Sequence, residues 1–431
     1  MHERFDVVVA GGGPAGSTIA TLLAQLGRSV LLLDKDRHPR FHIGESLLPM
    51  NLPIFDRLGV ADQVEQIGVV KRGADFCVGT ESEFVTFRFS DALRGSPAQA
   101  YEVRRADLDK VLIDNAMHHG VIVRENTRVE NLERCEDGTF LVTARLESAA
   151  NQTVRARFFV DATGRDGLLA KKMGLRQRNP DHASAAIYAH YRGVTRRTGE
   201  DAGNISIYWF DQGWIWMIPL PEDVMSVGAV CRPDYLKKRQ SPATDFLEET
   251  LRLCPEAWAR MKDAALEREA EATGNYSYGG RRIGGAGYLL VGDAYAFVDP
   301  VFSSGVYLAM SSAEQAVSIV EKWLDRRYLA FHASLALHGF RVRRAIRTFS
   351  WFIYRFTSPI MRDLFREPRN ILGVQQAVIS MLAGDVYRGG PIRARLAVFK
   401  LIYTIASLLN FRVAKDHRHN RRRLARGDSL G

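Results

Sequence analysis

The 431 residues predict an α/β fold in three parts: a body on a parallel sheet, a second unit built on its own β-sheet, and a helical C-terminal region. Three observations carry this. The first fifty residues alternate strand, glycine-rich turn, helix and strand. Asp75–Phe89 and Ser184–Cys231 alternate apolar and polar residues and are rich in β-branched and aromatic types, as half-buried strands are. After Val306 the pattern is helical to the end.

Phe5–Ala10 (FDVVVA) is apolar without alternation, as expected of a strand covered on both faces. Gly11-Gly12-Gly13-Pro14-Ala15-Gly16 follows at once. A helical stretch, Ser17–Leu26, leads to a second buried strand, Ser29–Leu33, which ends in Asp34. This is a βαβ unit with G-x-G-x-x-G at its first turn and an acid 18 residues beyond the last glycine. Gly11 permits the tight turn, Gly13 lets backbone approach a pyrophosphate, and Gly16 lets helix and strand pack closely. The helix start offers free N–H groups and a positive dipole end to phosphates. Asp34, with Lys35 beside it, can accept hydrogen bonds from ribose hydroxyls. Strand, helix and acid in register predict a dinucleotide site, without separating FAD from NAD.

Further segments favour FAD. Val103–Asp109 leads into a helical stretch, Lys110–His118. Val160-Asp161-Ala162-Thr163-Gly164 ends another buried strand, and Leu289–Ala294 enters a turn before Tyr295–Gly305. A nicotinamide dehydrogenase usually confines its site to one compact domain, whereas a discontinuous site suits a long, extended FAD. The FAD-binding body is therefore expected over 1–75, 100–175 and 280–325. The β-sheet substrate domain is expected over 76–99 and 176–279, and the helical region with a basic tail over 326–431. Asp245–Arg260 reads as a helix and Pro233–Pro242 as a polar, basic linker. Phe349–Phe356 packs five aromatics into eight residues, as helix core or as the roof of an aromatic-substrate pocket.

Composition narrows the class. With 46% apolar and 25% charged residues the chain is an ordinary globular one. Net charge is +10, and half of it falls from Arg412 onward, where seven basic residues face Asp416 and Asp428. This tail reads as a solvated end, or as a surface for an acidic partner or membrane. The rest is near balance, so a nucleic-acid partner is not expected. Cys77, Cys135, Cys231 and Cys254 lie far apart and the 11 histidines form no ligand motif. No metal site or disulfide framework is expected, and a cytoplasmic, reducing location fits. Leu396–Phe411 is too short and too mixed to span a bilayer easily, which leaves a packed or surface-lying helix.

The glycine turn, Arg105–Asp109 (R-x-x-L-D) and Gly292-Asp293-Ala294 together resemble FAD-dependent monooxygenases of the para-hydroxybenzoate-hydroxylase-like fold, whose FAD domain is Rossmann-like and of the GR2 type. The resemblance covers about residues 1–320. It implies that Gly11, Gly13, Pro14, Ala15 and Gly16 hold the ADP pyrophosphate and that Arg105 reaches the FAD. It also places Gly292 and Asp293 at the ribityl–pyrophosphate region. Four further segments resemble the tryptophan-halogenase-like flavin-dependent halogenases. They are Phe41-His42-Ile43-Gly44-Glu45-Ser46-Leu47-Leu48-Pro49, Lys71–Phe76, Gly213-Trp214-Ile215-Trp216-Met217-Ile218-Pro219 and Asp299-Pro300-Val301-Phe302-Ser303-Ser304-Gly305-Val306. Ser380–Asp385 (SMLAGD) resembles their C-terminal region.

That resemblance implies Lys71 as the catalytic amine. Gly44, Glu45 and Ser46 would lie between flavin and lysine, and Pro300, Gly305 and Val306 against the flavin. Ser304 and Gly305 would be the halide ligands. Trp214, Trp216, Ile218 and Pro219 serve as a marker that keeps substrate off the flavin. From the residues alone, Lys71 can also be a surface charge, the tryptophans core, and Glu45–Ser46 a helix cap. The implied chemistry uses FAD supplied as FADH2, O2, and chloride or bromide. A flavin C4a-hydroperoxide oxidises halide to hypohalous acid, which Lys71 relays to an electron-rich aromatic. The alternatives are a hydroxylase or reductase of the same fold, or a catalytically silent flavoprotein. With no second dinucleotide motif, a separate NAD(P)H-dependent flavin reductase is expected as partner. Chain length favours phenols, pyrroles or acyl-carrier-bound aromatics over free tryptophan. Membrane contact by the C-terminal helix and tail is an open alternative.

Overall fold

The computed structural model describes residues 2–79, 83–179, 182–274 and 277–426. Four strands run parallel beside Val30–Leu33. In order across the sheet, the five are Ile122–Arg124, Val30–Leu33, Glu3–Ala10, Asn151–Asp161 and Tyr288–Leu290. Gly284–Gly285 closes one edge, and the hairpin Arg128–Arg134/Phe140–Arg145 pairs with the first half of Asn151–Asp161. Ala10 pairs with both Leu33 and Asp161, and Asp161 with Leu290. Three carboxyl ends therefore stop level with the glycine turn. Turns that follow them collect at one edge, where open α/β sheets bind ligands. The helix Pro14–Gln25 packs on the longer helix Ser304–Leu324.

The second sheet has seven strands. Its order is Ala265–Thr273, Ala185–Arg192, Val224–Cys231, Gly213–Pro219, Ile205–Phe210, Gly73–Cys77 and Phe84–Arg88. Alternation sorts its residues between two cores. Trp214, Trp216 and Ile218 join the main core, while Ile215 and Met217 join a smaller one with Phe246, Leu247 and Leu251 of the helix Ala243–Arg252. A separate ribbon pairs Gly68–Lys71 with Ala100–Val103.

Several boundaries differ from the sequence reading, each for a local reason. Pro233–Pro242 contains a short helix, Pro233–Lys237, opened by a proline in its first turn. Asp245–Arg260 splits into Ala243–Arg252 and Pro255–Ala259, because Pro255 starts a new helix. The C-terminal region is helical but broken repeatedly, at Ser358-Pro359 and at Gly373 with its φ of +71° among other places. Phe349 and Phe352 are buried in the helix Tyr328–Ile353, and buried Phe356 lies just beyond its end. Among the described residues no single helix is long and apolar enough to cross a membrane. Gly390–Leu409 and the following helix meet such a test only together, across a bend of 106°. The basic tail is helical over Phe411–Arg426, while Asp428 and its neighbours lie outside the described residues.

The glycine turn is the tightest point of the fold. A Cβ on Gly16 would sit 1.8 Å from the Gly11 carbonyl oxygen, and Gly11 itself has a φ of +104°. Gly16→Ala is expected to push the helix off the strand at a cost of about 1–3 kcal/mol. Thermal unfolding and the flavin absorbance of the purified protein should both fall.

Candidate functional site

At the glycine turn, buried Asp34 accepts the Gly12 N–H, and the Asp36 N–H at 2.8 Å. Pro14 and Ala15 are buried in the first helical turn. Lys35 forms an exposed ion pair with Asp166 at 2.6 Å. The space a Cβ on Gly13 would take meets only the Arg40 guanidinium, at 3.8 Å. Arg40 drew no sequence expectation, because nothing local ties it to the turn.

Arg105 explains the R-x-x-L-D spacing. At i and i+4 on one helix face, its Nε and Nη2 donate to the two Asp109 oxygens at 3.0 and 2.9 Å. Arg40 adds a third bond to Asp109 at 3.1 Å. Burial opposes ionisation of Asp109, but the two guanidinium groups hold its carboxyl below the usual range. Arg105 Nη1 donates to the Ile43 carbonyl at 3.1 Å. Gly44, at a φ of +110°, leaves room for it: a Cβ there would lie 3.1 Å from that nitrogen.

Across the edge, the Gly292 N–H donates to Ser312 Oγ at 2.9 Å. Burial pushes Asp293 up to about 7, against the pull of Arg105 and Arg165. In the following loop, buried Asp299 receives the Ser184 hydroxyl, the Val301 N–H at 3.3 Å and His182 Nε2 at 3.2 Å. Pro300 opens one 3-10 turn, Ser303 takes a φ of +54°, and Ser304 starts a 21-residue helix. Ser304 is fully buried and its Oγ has no hydrogen-bond partner. Apart from its chain neighbours and its own helix backbone, nothing lies within 4 Å of where a Cβ on Gly305 would be, and Val306 packs into the core. An orphan hydroxyl, a helix start and open space thus coincide, as a site for an anion or a polar ring edge requires. Bare glycine backbone at Gly13 and Gly305, with Arg40 and Arg105 beside the glycine turn, fits an extended, phosphate-bearing FAD.

Lys71 ends its ribbon strand opposite Ala100. Ser46 bridges to Glu102 on the other side, flanked by Val103 N–H to Glu45 O at 2.8 Å and Leu47 N–H to Tyr101 O at 3.0 Å. Alternate strand residues share a face, so Lys71, Glu102 and Ser46 converge. Lys71 Nζ lies 2.7 Å from Ser46 Oγ, 3.1 Å from the Leu47 carbonyl and 3.7 Å from Glu102. Phe89 covers it, with a ring centroid at 5.6 Å. Lys71 is 1% exposed, so it is no surface charge. Burial pushes its pKa down despite Glu102, and pushes Glu102 up to about 8 despite Lys71. The Glu102 oxygens make no hydrogen bond of good geometry. Glu102 drew no sequence expectation; only strand pairing brings it to the amine.

Glu45 points the other way, onto His190 at 3.1 Å. Neither Glu45 nor Ser46 caps a helix; the turn at Pro49–Asn51 is tied instead by the Leu48 N–H to Asn51 Oδ1 at 3.1 Å. Trp214 and Trp216 have centroids 5.7 Å apart. The Trp216 indole N–H donates to Ser226 at 3.2 Å, and its ring lies where a Cβ on Gly228 would be. Ile218 and Pro219 are buried at the strand's end, Ile218 opposite Ser226, which also pairs with His190. Among the described residues no three His, Cys, Asp or Glu side chains form a metal-binding group.

Residues 4–325 match the family model described as "FAD binding domain", and the chain is a FAD-binding flavoprotein. It is 28% identical to the 1H-pyrrole-2-carbonyl-[peptidyl-carrier protein] chlorinase of Pseudomonas fluorescens, over 94% of both chains. It is 31% identical to the corresponding brominase of Pseudoalteromonas luteoviolacea, over 75% of this chain and 79% of that protein. It is 37% identical to the tryptophan 2-halogenase of Chondromyces crocatus over 74% of its length, but spans only 62% of that enzyme. Among solved structures, a flavoprotein/dehydrogenase from Cytophaga hutchinsonii superposes with a TM-score of 0.87 at 26% identity, over 95% of this chain and all of that one. The myxobacterial chondrochloren halogenase CndH superposes at 0.76 and 29% identity, over 98% and 97%. The chain belongs to the flavin-dependent halogenases, a family of FAD-binding enzymes.

Asp109 offers a check on the arginine cluster. Its folded pKa lies below the unfolded value near 3.9. Its stabilisation is therefore full above that value and is withdrawn as pH falls through the folded pKa. Asp109→Asn strands two guanidinium groups; it should lower the thermal midpoint at pH 7 and FAD retention, and flatten the acid limb of the stability curve below about pH 4.

Proposed function

We propose that the chain halogenates an electron-rich aromatic through Lys71. The amine held out of water on the same ribbon face as Ser46 and Glu102 carries this reading. Bound in its reduced form, FAD would supply the electrons with which O2 oxidises a halide to hypohalous acid. Ser304 Oγ and the N–H groups of Ser304 and Gly305 would hold chloride or bromide. Lys71, whose charged form burial disfavours, receives the hypohalous acid by hydrogen bond, or breaks its halogen–oxygen bond to form a haloamine and water, and presents the halogen to the ring. Glu102, pushed up to about 8, gives its proton to the departing hydroxide and recovers one from the halogenated amine. Gly44, Glu45 and Ser46 line the passage, while Trp214 and Trp216 keep organic substrate away from the flavin. Gly11, Gly13, Pro14, Ala15, Gly16, Asp34, Lys35, Arg105, Gly292, Asp293, Pro300 and Val306 would surround the FAD within the discontinuous body 1–75, 100–175 and 280–325. The sheet over 76–99 and 176–279 would face the substrate.

The carrier-dependent pyrrole halogenases support a pyrrole, phenol or carrier-tethered acyl substrate, because one of them matches this chain over nearly its whole length. A separate NAD(P)H-dependent reductase would supply the reduced flavin. The superposition on a flavoprotein/dehydrogenase favours, as a second reading, redox chemistry without halogen transfer.

Turnover with a flavin reductase, bromide and a panel of free and carrier-bound aromatics decides between them. A bromine isotope pattern in the product supports halogenation; a hydroxylated or saturated product supports the second reading. Lys71→Met should cut brominated product at least ~100-fold with flavin binding intact. Ser304→Ala, which removes one charge-assisted hydrogen bond, should raise the half-saturating bromide concentration about tenfold or more. Bromination that survives Lys71→Met overturns the assignment.

A further inference from the structure

The helix Gly390–Leu409 is apolar on both of its faces. Ile392, Leu396 and Phe399 turn inward and are buried. Phe399 packs on Phe352 with ring centroids 5.2 Å apart. On the opposite face Ala394, Ala397, Leu401, Ile405 and Leu408 recur at helical spacing, and all of them are exposed. A surface helix ordinarily turns charged and polar residues to water. At ~1.5 Å per residue this apolar stripe is about 21 Å long, and it continues past the helix end. Leu408 and Leu409 stand clear of the protein at 66% and 82% exposure, and Phe411 and Val413 are exposed in the first turn of the following helix.

The charge around this stripe has one sign. Between Gly390 and Arg426 ten residues are basic and one, Asp416, is acidic. Arg393 lies at the start of the stripe, and Arg412 and Lys415 lie just past the bend. All three are exposed, and none has a carboxylate partner among the described residues. A second copy of the same face would bring a like set of cations to the contact, so charge disfavours self-association. Protein partners bury a few anchors in pockets, whereas here the apolar side chains protrude in a row. Apolar side chains framed by unpaired cations match an anionic lipid surface, where acyl chains receive the first and headgroups the second. The bend of 106° between the two helices suits a pair that lies in a bilayer surface rather than crossing it.

We propose that the outer face of Gly390–Leu409, with Phe411 and Val413, seats the protein on an anionic membrane surface. The apolar side chains enter the boundary between headgroups and acyl chains, and Arg393, Arg412 and Lys415 lie at the level of the anionic headgroups. The inference stands apart from the assignment of Lys71 and survives its failure.

The test is flotation of the FAD-loaded full chain with vesicles of phosphatidylglycerol and phosphatidylcholine, against vesicles of phosphatidylcholine alone. The chain should float with the anionic vesicles, bind the neutral ones at least about tenfold more weakly, and be released as salt rises. Ile405→Ser combined with Leu408→Ser should weaken binding to anionic vesicles about tenfold or more. Arg412→Gln combined with Lys415→Gln should do the same from the charged side. Flavin absorbance and the thermal midpoint should hold in both variants, because all four side chains face water. A chain that floats with neither kind of vesicle, or floats as well with both serines in place, overturns the proposal. So does a dimer in solution that the two serines dissociate, or an acidic carrier protein that binds this face while vesicles do not; either would give the stripe a different cover.

Discussion

Taking a lysine amine out of water costs several kcal/mol, and the fold arranges its neighbourhood around that cost at Lys71. Three strands must meet for the amine to find Ser46 Oγ, the Leu47 carbonyl and Glu102 on one side and Phe89 on the other. The chain then leaves the ribbon at Arg72 and enters the large sheet at Gly73, where a Cβ would lie 2.7 Å from the Phe87 carbonyl. The Arg72 N–H is held by Asn204 at 3.0 Å, and its carbonyl by the Phe89 N–H at 2.9 Å. The amine is therefore fixed from both sheets at once. An imperfect partner at 3.7 Å leaves neither charge fully compensated, so burial pushes the amine down and the carboxyl up despite their attraction.

The link between the nucleotide end and the amine is three residues long. Gly44 lies against Arg105, whose guanidinium is set by Asp109 and Arg40. Glu45 turns onto His190 of the large sheet, and Ser46 reaches Lys71. Alternation along an extended segment makes these contacts fall on different bodies of the protein. A shift of this segment by one residue would exchange the two faces and separate the arginine cluster from the amine. The positive φ at Gly44 and the Leu48–Asn51 bond at the far end resist such a shift.

What was legible in the sequence was local. The glycine turn, Asp34, the buried first strands and the Arg105–Asp109 pair follow from spacing within one element, and the structure places them as spacing demands. The two tryptophans of Gly213–Pro219 fall on one face because the strand period is two. Lys71 is visible only through a motif; from the residue alone a surface charge is the favoured reading, and its burial comes from Phe89 and a ribbon that spacing does not reveal. Glu102, His190 and Arg40 left no mark, since each is joined to its partner by strand pairing or loop packing across the chain. Helix boundaries in 233–260 moved for prolines that restart helices, and Glu45–Ser46 proved to be strand-like because Glu102 and Val103 offer backbone partners there.

The basic tail shows the same limit from the other direction. Composition makes Arg412–Arg426 a charged surface, and a charged surface suggests a solvated end or an acidic partner. Its pattern in three dimensions divides those charges. Arg421 donates to the Tyr354 carbonyl, and His417 lies 3.3 Å from Thr357 Oγ1, so one face of the helix is structural and packs on the end of the aromatic stripe. The bend of 106° after Leu409 accompanies this packing, with the basic turns against Tyr354 and Thr357. The apolar side chains Leu408, Leu409 and Phe411 at that bend are exposed. Charge that reads as a tail in one dimension is, at Arg421 and His417, packed against Tyr354 and Thr357 in three.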